Sequence, residues 1–456
     1  MKIIVIGGGV AGYPAALRAA RLGAQVVLIE RDKLGGVCLN WGCVPTKTLL
    51  QSAEVYSNVK KASSFGVKAE NISIDFPAMM RRKEGVVRQL TTGVEKLLKD
   101  KKVEIIRGTA TFSDQKTIKI VETGQIIQGE KVIIATGSVP IRPDIGGIDG
   151  PHVITSNDIL SAKSLPKSVL IIGGGYIGVE LGQLLSRLGV RVTIVEILSH
   201  ILPTEDEDVG EALKKRLQDE GINICISSMV EKVEPSKEMA TVTYSTPEGK
   251  KTNRVEKVIL TVGRRPYTEG LGLEKIGIRL DNDRIIVNNH METNIPGIYA
   301  IGDVIGGVML AHMAMVEGEC AARNAMENDS EIDYGVVPRC IYTFPEIGAV
   351  GMTEKEARGR HNVKVSRFPL HANSKANILG ETYGMVKIIA EEEEGDILGV
   401  HIVGPHATDL ISEAVFAMEM EATVEELAHA VHPHPTLSEA LGEAAQALSG
   451  GAIHLP

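Results

Sequence analysis

Two cysteines sit close together in the segment GGVCLNWGCVPTKTLL, residues 35–50, where Cys38 and Cys43 are separated by four residues. Val44-Pro45-Thr46 follows directly and reads as a helix start, with Pro in the first turn. A thiolate at a helix N-terminus is stabilised by the dipole and by free N–H groups. A pair that opens and closes there suits thiol–disulfide exchange. Zinc would need about four ligands, and no second Cys pair or Cys/His cluster accompanies this one. A structural disulfide is disfavoured in a reducing cell. Two unrelated buried thiols remain the plain alternative. Cys225, Cys320 and Cys340 have no such context and read as core residues.

Thiol exchange also needs a base that works near neutral pH. His434 fits, with Glu439 five residues later to orient the ring and stabilise its cation. A lone histidine is more often structural, and His432 beside it has no evident role. No Cys or carboxylate cluster makes these histidines a metal site, so no metal is expected.

The elements that must position these groups show in an internal repeat. Lys2–Glu30 and Ser168–Glu196 align without a gap, with 10 of 29 positions identical. Each runs from a short apolar strand into GGGxxG, through a helical pattern, to a second strand ending in Glu. Gly7 and Gly173 permit the tight turn, Gly9 and Gly175 let a pyrophosphate approach, and Gly12 and Gly178 let helix and strand pack closely. Glu30 and Glu196 stand where a carboxylate can accept ribose hydroxyls. Two copies predict two bound dinucleotides. Glu196, followed by Ile197-Leu198-Ser199-His200 with no Arg, favours NAD over NADP at the second.

Between the repeats, apolar spacing predicts an amphipathic packing helix over Phe76–Asp100. From about Tyr334 the texture changes. Strands are expected at Met385–Ala390 and Leu398–Val403, joined by an acidic turn, with helices near Asp409–Glu421 and Thr436–Leu448. Lys plus Arg number 49 against 58 Asp plus Glu, a net charge of −9, which argues against nucleic acid or a polybasic membrane surface as partner. No apolar stretch reaches the roughly 20 residues of a membrane span. The apolar start lacks a signal peptide's basic region and cleavage site. A soluble, cytoplasmic α/β protein is expected.

The chain resembles the pyridine nucleotide–disulfide oxidoreductases over essentially its whole length. Besides both glycine motifs and the cysteine segment, the resemblance rests on Ala135-Thr136-Gly137, Gly263-Arg264-Arg265-Pro266 and Tyr299-Ala300-Ile301-Gly302-Asp303. Tyr342-Thr343-Phe344-Pro345-Glu346 and His434-Pro435-Thr436-Leu437-Ser438-Glu439 complete it. It implies two Rossmann-like dinucleotide-binding domains, for FAD and NAD, plus a C-terminal α+β dimerisation domain. The expected divisions are FAD domain 1–140, NAD domain 141–264, a return to the FAD domain over 265–335, and dimerisation domain 336–456. It places Gly7, Gly9, Gly12, Glu30, Lys47, Thr136, Gly137 and Asp303 at FAD. It places Gly173, Gly175, Gly178, Glu196 and Gly263 at NAD.

Within the family the lipoamide branch fits best. Glutathione-type reductases carry basic residues after the second acid, and mercuric reductases carry an added Cys pair near the C-terminus. Neither feature occurs here. The resemblance then implies oxidation of dihydrolipoamide, with NAD as acceptor, through a Cys38–Cys43 disulfide. Cys43 faces the flavin, Cys38 exchanges with substrate, and Lys47 pairs with Glu180. His434 and Glu439 act across a homodimer. A lipoyl-bearing protein of a 2-oxoacid dehydrogenase or glycine-cleavage assembly is the implied partner. Trp41 and Thr46 depart from the branch's commonest residues and leave another NADH-dependent disulfide reductase as the alternative. A non-catalytic flavoprotein scaffold is the reading from another class; it would need neither the cysteine pair nor the His–Glu pair.

Overall fold

The computed structural model describes residues 1–327 and 329–454. The chain divides into two compact units, each built from separated stretches of sequence. The first takes residues 1–143, 154–165 and 262–333; the second takes 144–153, 166–261 and 334–456.

In the first unit the strand Lys2–Ile6 runs parallel to Gln25–Glu30 on one side and to Lys131–Ile134 on the other. Glu104–Arg107 and Ile298–Ala300 extend the sheet at its two edges. Parallel neighbours need a crossover, and the helix Gly12–Arg21 supplies the first one. Its start is fixed sterically. Gly7 turns off the strand at φ +103°, and a Cβ on Gly12 would stand 1.9 Å from the Gly7 carbonyl oxygen. A three-stranded antiparallel sheet, Ala110–Asp114, Thr117–Ile120 and Ile126–Gln128, shares the apolar core through Phe112, Ile118 and Ile120. The expected packing helix spans Phe76–Asp100, capped by the Asp75 carboxylate on the Ala78 N–H.

The second unit repeats the arrangement. Ser168–Ile172 lies between Arg191–Val195 and Lys257–Leu260, all parallel. A Cβ on Gly178 would lie 2.1 Å from the Gly173 carbonyl oxygen, matching the first repeat. The same unit contains a five-stranded antiparallel sheet in the order Arg339–Ile341, Glu346–Gly351, Ile397–Gly404, Met385–Glu391, Val363–Pro369. The helices Ala407–Glu419 and Glu439–Ser449 contribute to its apolar core.

This C-terminal sheet also buries charge. Lys387 is 1% exposed, and its Nζ lies 3.0 Å from Asp206, 3.0 Å from Asp208 and 2.9 Å from Glu354. His401, fully buried, adds a contact of 3.3 Å to Asp206. Burial alone would raise the Glu354 carboxyl, but hydrogen bonds from Lys387 and Arg358 outweigh it and hold it at about 2. A depressed carboxyl contributes stability above its unfolded value that is lost as pH falls through its folded value. Unfolding followed by denaturant titration should therefore show stability falling as pH drops from 4.5 toward 2. Lys387→Met should cost about 3–5 kcal/mol at neutral pH, because it removes the buried cation that Asp206, Asp208 and Glu354 share. A neutral or stabilising Lys387→Met would show that the cluster contributes nothing to the fold.

Candidate active site

The cysteine pair is positioned from the first glycine turn. The Gly35 N–H donates to the Gly8 carbonyl at 2.8 Å, and Gly9 forms a parallel bridge with Gly35. A Cβ on Gly36 would stand 2.7 Å from the Gly9 Cα, so the two backbones meet without side chains between them. A short helix, Gly36–Asn40, carries Cys38; the next, Cys43–Lys60, begins at Cys43 itself. Thr46 is buried, and its hydroxyl donates to the Gly42 carbonyl at 2.7 Å, closing the turn between them.

Cys38 and Cys43 are hydrogen-bonded thiol to thiol. That bond and burial push the Cys38 thiol upward, while the Lys47 charge opposes them. When the pair is reduced, these effects favour a proton on Cys38, and Cys43 has the helix N-terminus to support a thiolate. Two neighbours escaped the sequence reading. Burial, then the charge of Cys38, raises the Tyr13 hydroxyl. The Lys33 Nζ lies 5.3 Å from the centre of the Trp41 ring, which anchors the residue between the cysteines.

The two dinucleotide turns are finished by matching carboxylates. Glu30 accepts the Gly8 N–H on one oxygen and the Asp32 N–H on the other, each at 2.7 Å. Glu196 accepts the Gly174 N–H at 2.6 Å and the Leu198 N–H at 2.8 Å in the same way. Each oxygen keeps a second lone pair for a ribose hydroxyl. At Gly175 a Cβ would meet nothing within 4 Å, which leaves open space before the helix Tyr176–Arg187. Two turns with free helix N-termini and an acceptor for the ribose fit two dinucleotides.

Apart from Glu180, the remaining flavin-side candidates lie within the first unit, as does Gly263, which the resemblance places at NAD. Asp303, on the short turn Gly302–Ile305, accepts from the Ser138 hydroxyl and lies 3.9 Å from the Arg264 guanidinium. The Thr136 hydroxyl donates to the Tyr267 carbonyl at 2.6 Å, and the Gly137 carbonyl accepts the Tyr267 N–H at 2.9 Å. The Gly263 carbonyl accepts the Ile141 N–H at 3.0 Å. Lys47 lies one helical turn after Cys43. Glu180 belongs to the second unit, is 2% exposed and accepts the Tyr342 N–H at 2.9 Å.

The expected base also lies in the second unit. His434 Nδ1 is 2.8 Å from Glu439 Oε1, and the other oxygen of Glu439 accepts the Thr436 N–H at 2.7 Å. The imidazole is 69% exposed, and its contact with Glu439 uses Nδ1, which leaves Nε2 for proton exchange. Burial tends to raise the Glu439 carboxyl, but the Thr436 N–H and His434 hold it lowered and ionised. Two further His–carboxylate pairs were not expected: His432 with Glu413 and His454 with Glu443, at 2.7 Å and 2.6 Å. Periodicity carries no signal for either, since each joins residues 11 or 19 apart. Among the described residues no cluster of three or more His, Cys, Asp or Glu could hold a metal, and no helix is long and apolar enough to cross a membrane.

Residues 1–318 match the family profile described as pyridine nucleotide-disulphide oxidoreductase, and residues 337–445 match that family's dimerisation domain. The chain belongs to the pyridine nucleotide–disulphide oxidoreductases. It is 43% identical to a dihydrolipoyl dehydrogenase of Bacillus subtilis (strain 168), with all of both chains covered. It is 44% identical to that of Thermus scotoductus, covering 99% of this chain and 98% of that protein. Among solved structures it is similar to the HOCl-induced flavoprotein disulfide reductase RclA from Escherichia coli. That likeness has a TM-score of 0.88 at 28% identity and covers 98% of this chain and 99% of the other. The dimerisation domain makes this oxidoreductase one that associates with a second copy of itself.

At the second turn, Glu196 and the exposed Ile197 and Leu198 offer a 2′-phosphate repulsion and no cation. This oxidoreductase should therefore prefer NADH over NADPH by at least about 1–3 kcal/mol in kcat/KM. Glu196→Gln should narrow the ratio, and equal kcat/KM values in the native enzyme would remove Glu196 from the ribose.

Proposed function

We propose that this oxidoreductase is a dihydrolipoyl dehydrogenase: it oxidises dihydrolipoamide to lipoamide, with NAD as final acceptor. FAD and NAD are its cofactors. The observation that carries the reading is the hydrogen-bonded Cys38–Cys43 pair at a helix start, packed on a dinucleotide turn. Full-length relatives bearing the name dihydrolipoyl dehydrogenase support the choice of substrate.

In the oxidised enzyme Cys38 and Cys43 form a disulfide. His434 takes the proton from one thiol of dihydrolipoamide, and Glu439 holds the ring and stabilises its cation. The substrate thiolate attacks the Cys38 sulfur, and Cys43 leaves as a thiolate supported by its helix N-terminus. The second substrate thiol then releases its proton to solvent and attacks the substrate sulfur of the mixed disulfide, breaking its bond to Cys38. Cyclic lipoamide departs, and Cys38 receives a proton from the His434 cation. Two substrate thiols have become one disulfide, and the enzyme disulfide has become a thiol and a thiolate. Bound FAD supplies the route by which that electron pair reaches NAD.

Gly7, Gly9, Gly12, Glu30, Thr136, Gly137 and Asp303 would hold the FAD, and Lys47 and Glu180 are the charged residues assigned to it. Gly173, Gly175, Gly178, Glu196 and Gly263 hold the NAD. His434 and Glu439 serve the cysteines of the second subunit, so two complete sites form across an isologous interface. The lipoyl group is carried by a partner protein of a 2-oxoacid dehydrogenase or glycine-cleavage assembly, in the cytoplasm.

Assays with NADH and lipoamide, glutathione disulfide or coenzyme A disulfide test the reading. Lipoamide should be the preferred acceptor. His434→Ala should lower its turnover by about 10²–10⁴, the range for loss of a general base, and spare flavin reduction by NADH. Preference for either other disulfide would overturn the substrate assignment, and undiminished turnover by His434→Ala would remove the base.

A further inference from the structure

His432 lies two residues before His434, and nothing in the reaction above uses it. Its side chain is only 11% exposed and is held from two sides. On one side Nε2 lies 2.7 Å from Glu413 Oε1, on the helix Ala407–Glu419. On the other the ring lies against Gly442 of the helix Glu439–Ser449, where a Cβ would stand 2.8 Å from Nδ1. Gly442 is three residues after Glu439, so one helix seats His432 through a glycine and orients His434 through a carboxylate. The hydrogen bond that His432 donates to the Glu413 carboxylate chiefly, with smaller contributions from the Ala430 backbone and Glu439, raises the proton affinity of His432 against the effect of burial. A protonated ring makes the bond to Glu413 charge-assisted and correspondingly strong.

Only Pro433 separates the two histidines. Its ring fixes φ at about −65°, so little backbone freedom remains between a clamped His432 and the Cα of His434. His434 needs such support, because its own ring is exposed and is held at Nδ1 by Glu439. We propose that Glu413 and His432 form a positioning pair, which sets where His434 stands relative to Glu439 and to the thiol it serves. The proposal rests on the reading of His434 as the base.

The test uses the full-length, FAD-loaded dimer. His432→Leu should lower kcat for dihydrolipoamide about ten- to a hundredfold, the cost of a misplacement of about 1 Å, with KM little changed. NADH-dependent reduction of ferricyanide should stay at the native rate. His432→Gln keeps an N–H for Glu413 and should recover most of kcat, whereas Glu413→Leu should behave like His432→Leu. Because the pair acts through His434, adding His432→Leu to His434→Ala should cost nothing further. If His432→Leu does not fold, Gly442→Ala displaces the same ring by a smaller change and should give the same selective loss.

A loss equal in both backgrounds, a parallel loss of ferricyanide reduction, or native kcat in His432→Leu would each overturn the positioning role. His434→Ala distinguishes this failure from failure of the base itself. If His434→Ala alone turns over dihydrolipoamide at the native rate, the base reading falls and the positioning role falls with it. If His434→Ala is slow and His432→Leu is not, only the positioning role falls.

Discussion

Close backbone contact between glycines is the constraint on which the redox site depends. Gly12 must lie on the Gly7 carbonyl for the first helix to start where it does, and Gly36 must lie on Gly9 for the cysteine segment to reach that turn. Any side chain at Gly12 or Gly36 would meet backbone atoms, which cannot step aside as a flexible side chain can. The hydrogen bond from Gly35 to Gly8 then fixes the register. Cys38 and Cys43 are thus built onto the wall of a dinucleotide site, where a thiol pair can exchange electrons with what that site binds. The second repeat uses the same contact, between Gly178 and Gly173, without a cysteine segment. It has the binding half of the design and lacks the redox half.

Charge is handled differently in the two halves of the chemistry. The thiols need one stabilised anion, and helix placement at Cys43 supplies it with Lys47 nearby. The proposed acid–base side needs a histidine that exchanges protons with thiols. The His434 ring is exposed, and its carboxylate partner is tied to the Thr436 backbone. Away from both, Lys387 and its three carboxylates bury charge inside the C-terminal sheet, where pairing keeps the cost of desolvation in check.

Features with a local sequence signature were the legible ones. The repeated glycine turn announces itself through spacing, and the helix Phe76–Asp100 through apolar residues at helical spacing and a capped start at Asp75. Element edges set by distant side chains were less so. A helix expected from Thr436 begins at Glu439, because the Glu439 carboxylate holds the Thr436 N–H and the Thr436 hydroxyl bonds back to Pro433. The helix expected over Asp409–Glu421 spans Ala407–Glu419. Glu346 holds Thr408 at its start, and Glu421 beyond its end turns left-handed at φ 53°. The pairs His432–Glu413 and His454–Glu443 and the burial of Lys387 had no local signature, since each depends on which elements tertiary packing brings together. The assignments of Cys43 to the flavin side and of Lys47 to Glu180 rest on the family's motifs alone, with no local pattern to suggest them.

In the proposed reading each site is shared between two chains, which joins the cysteine pair to the histidine, and mixed dimers test it most directly. A heterodimer of one Cys43→Ser chain and one His434→Ala chain has one site with both lesions and one intact site if the histidine serves the partner's cysteines. Purified heterodimers should then regain about half of native lipoamide turnover, since an isologous dimer holds two equivalent sites. If the base served its own chain, each site would carry one lesion. Verified heterodimers with no recovered turnover would contradict the account.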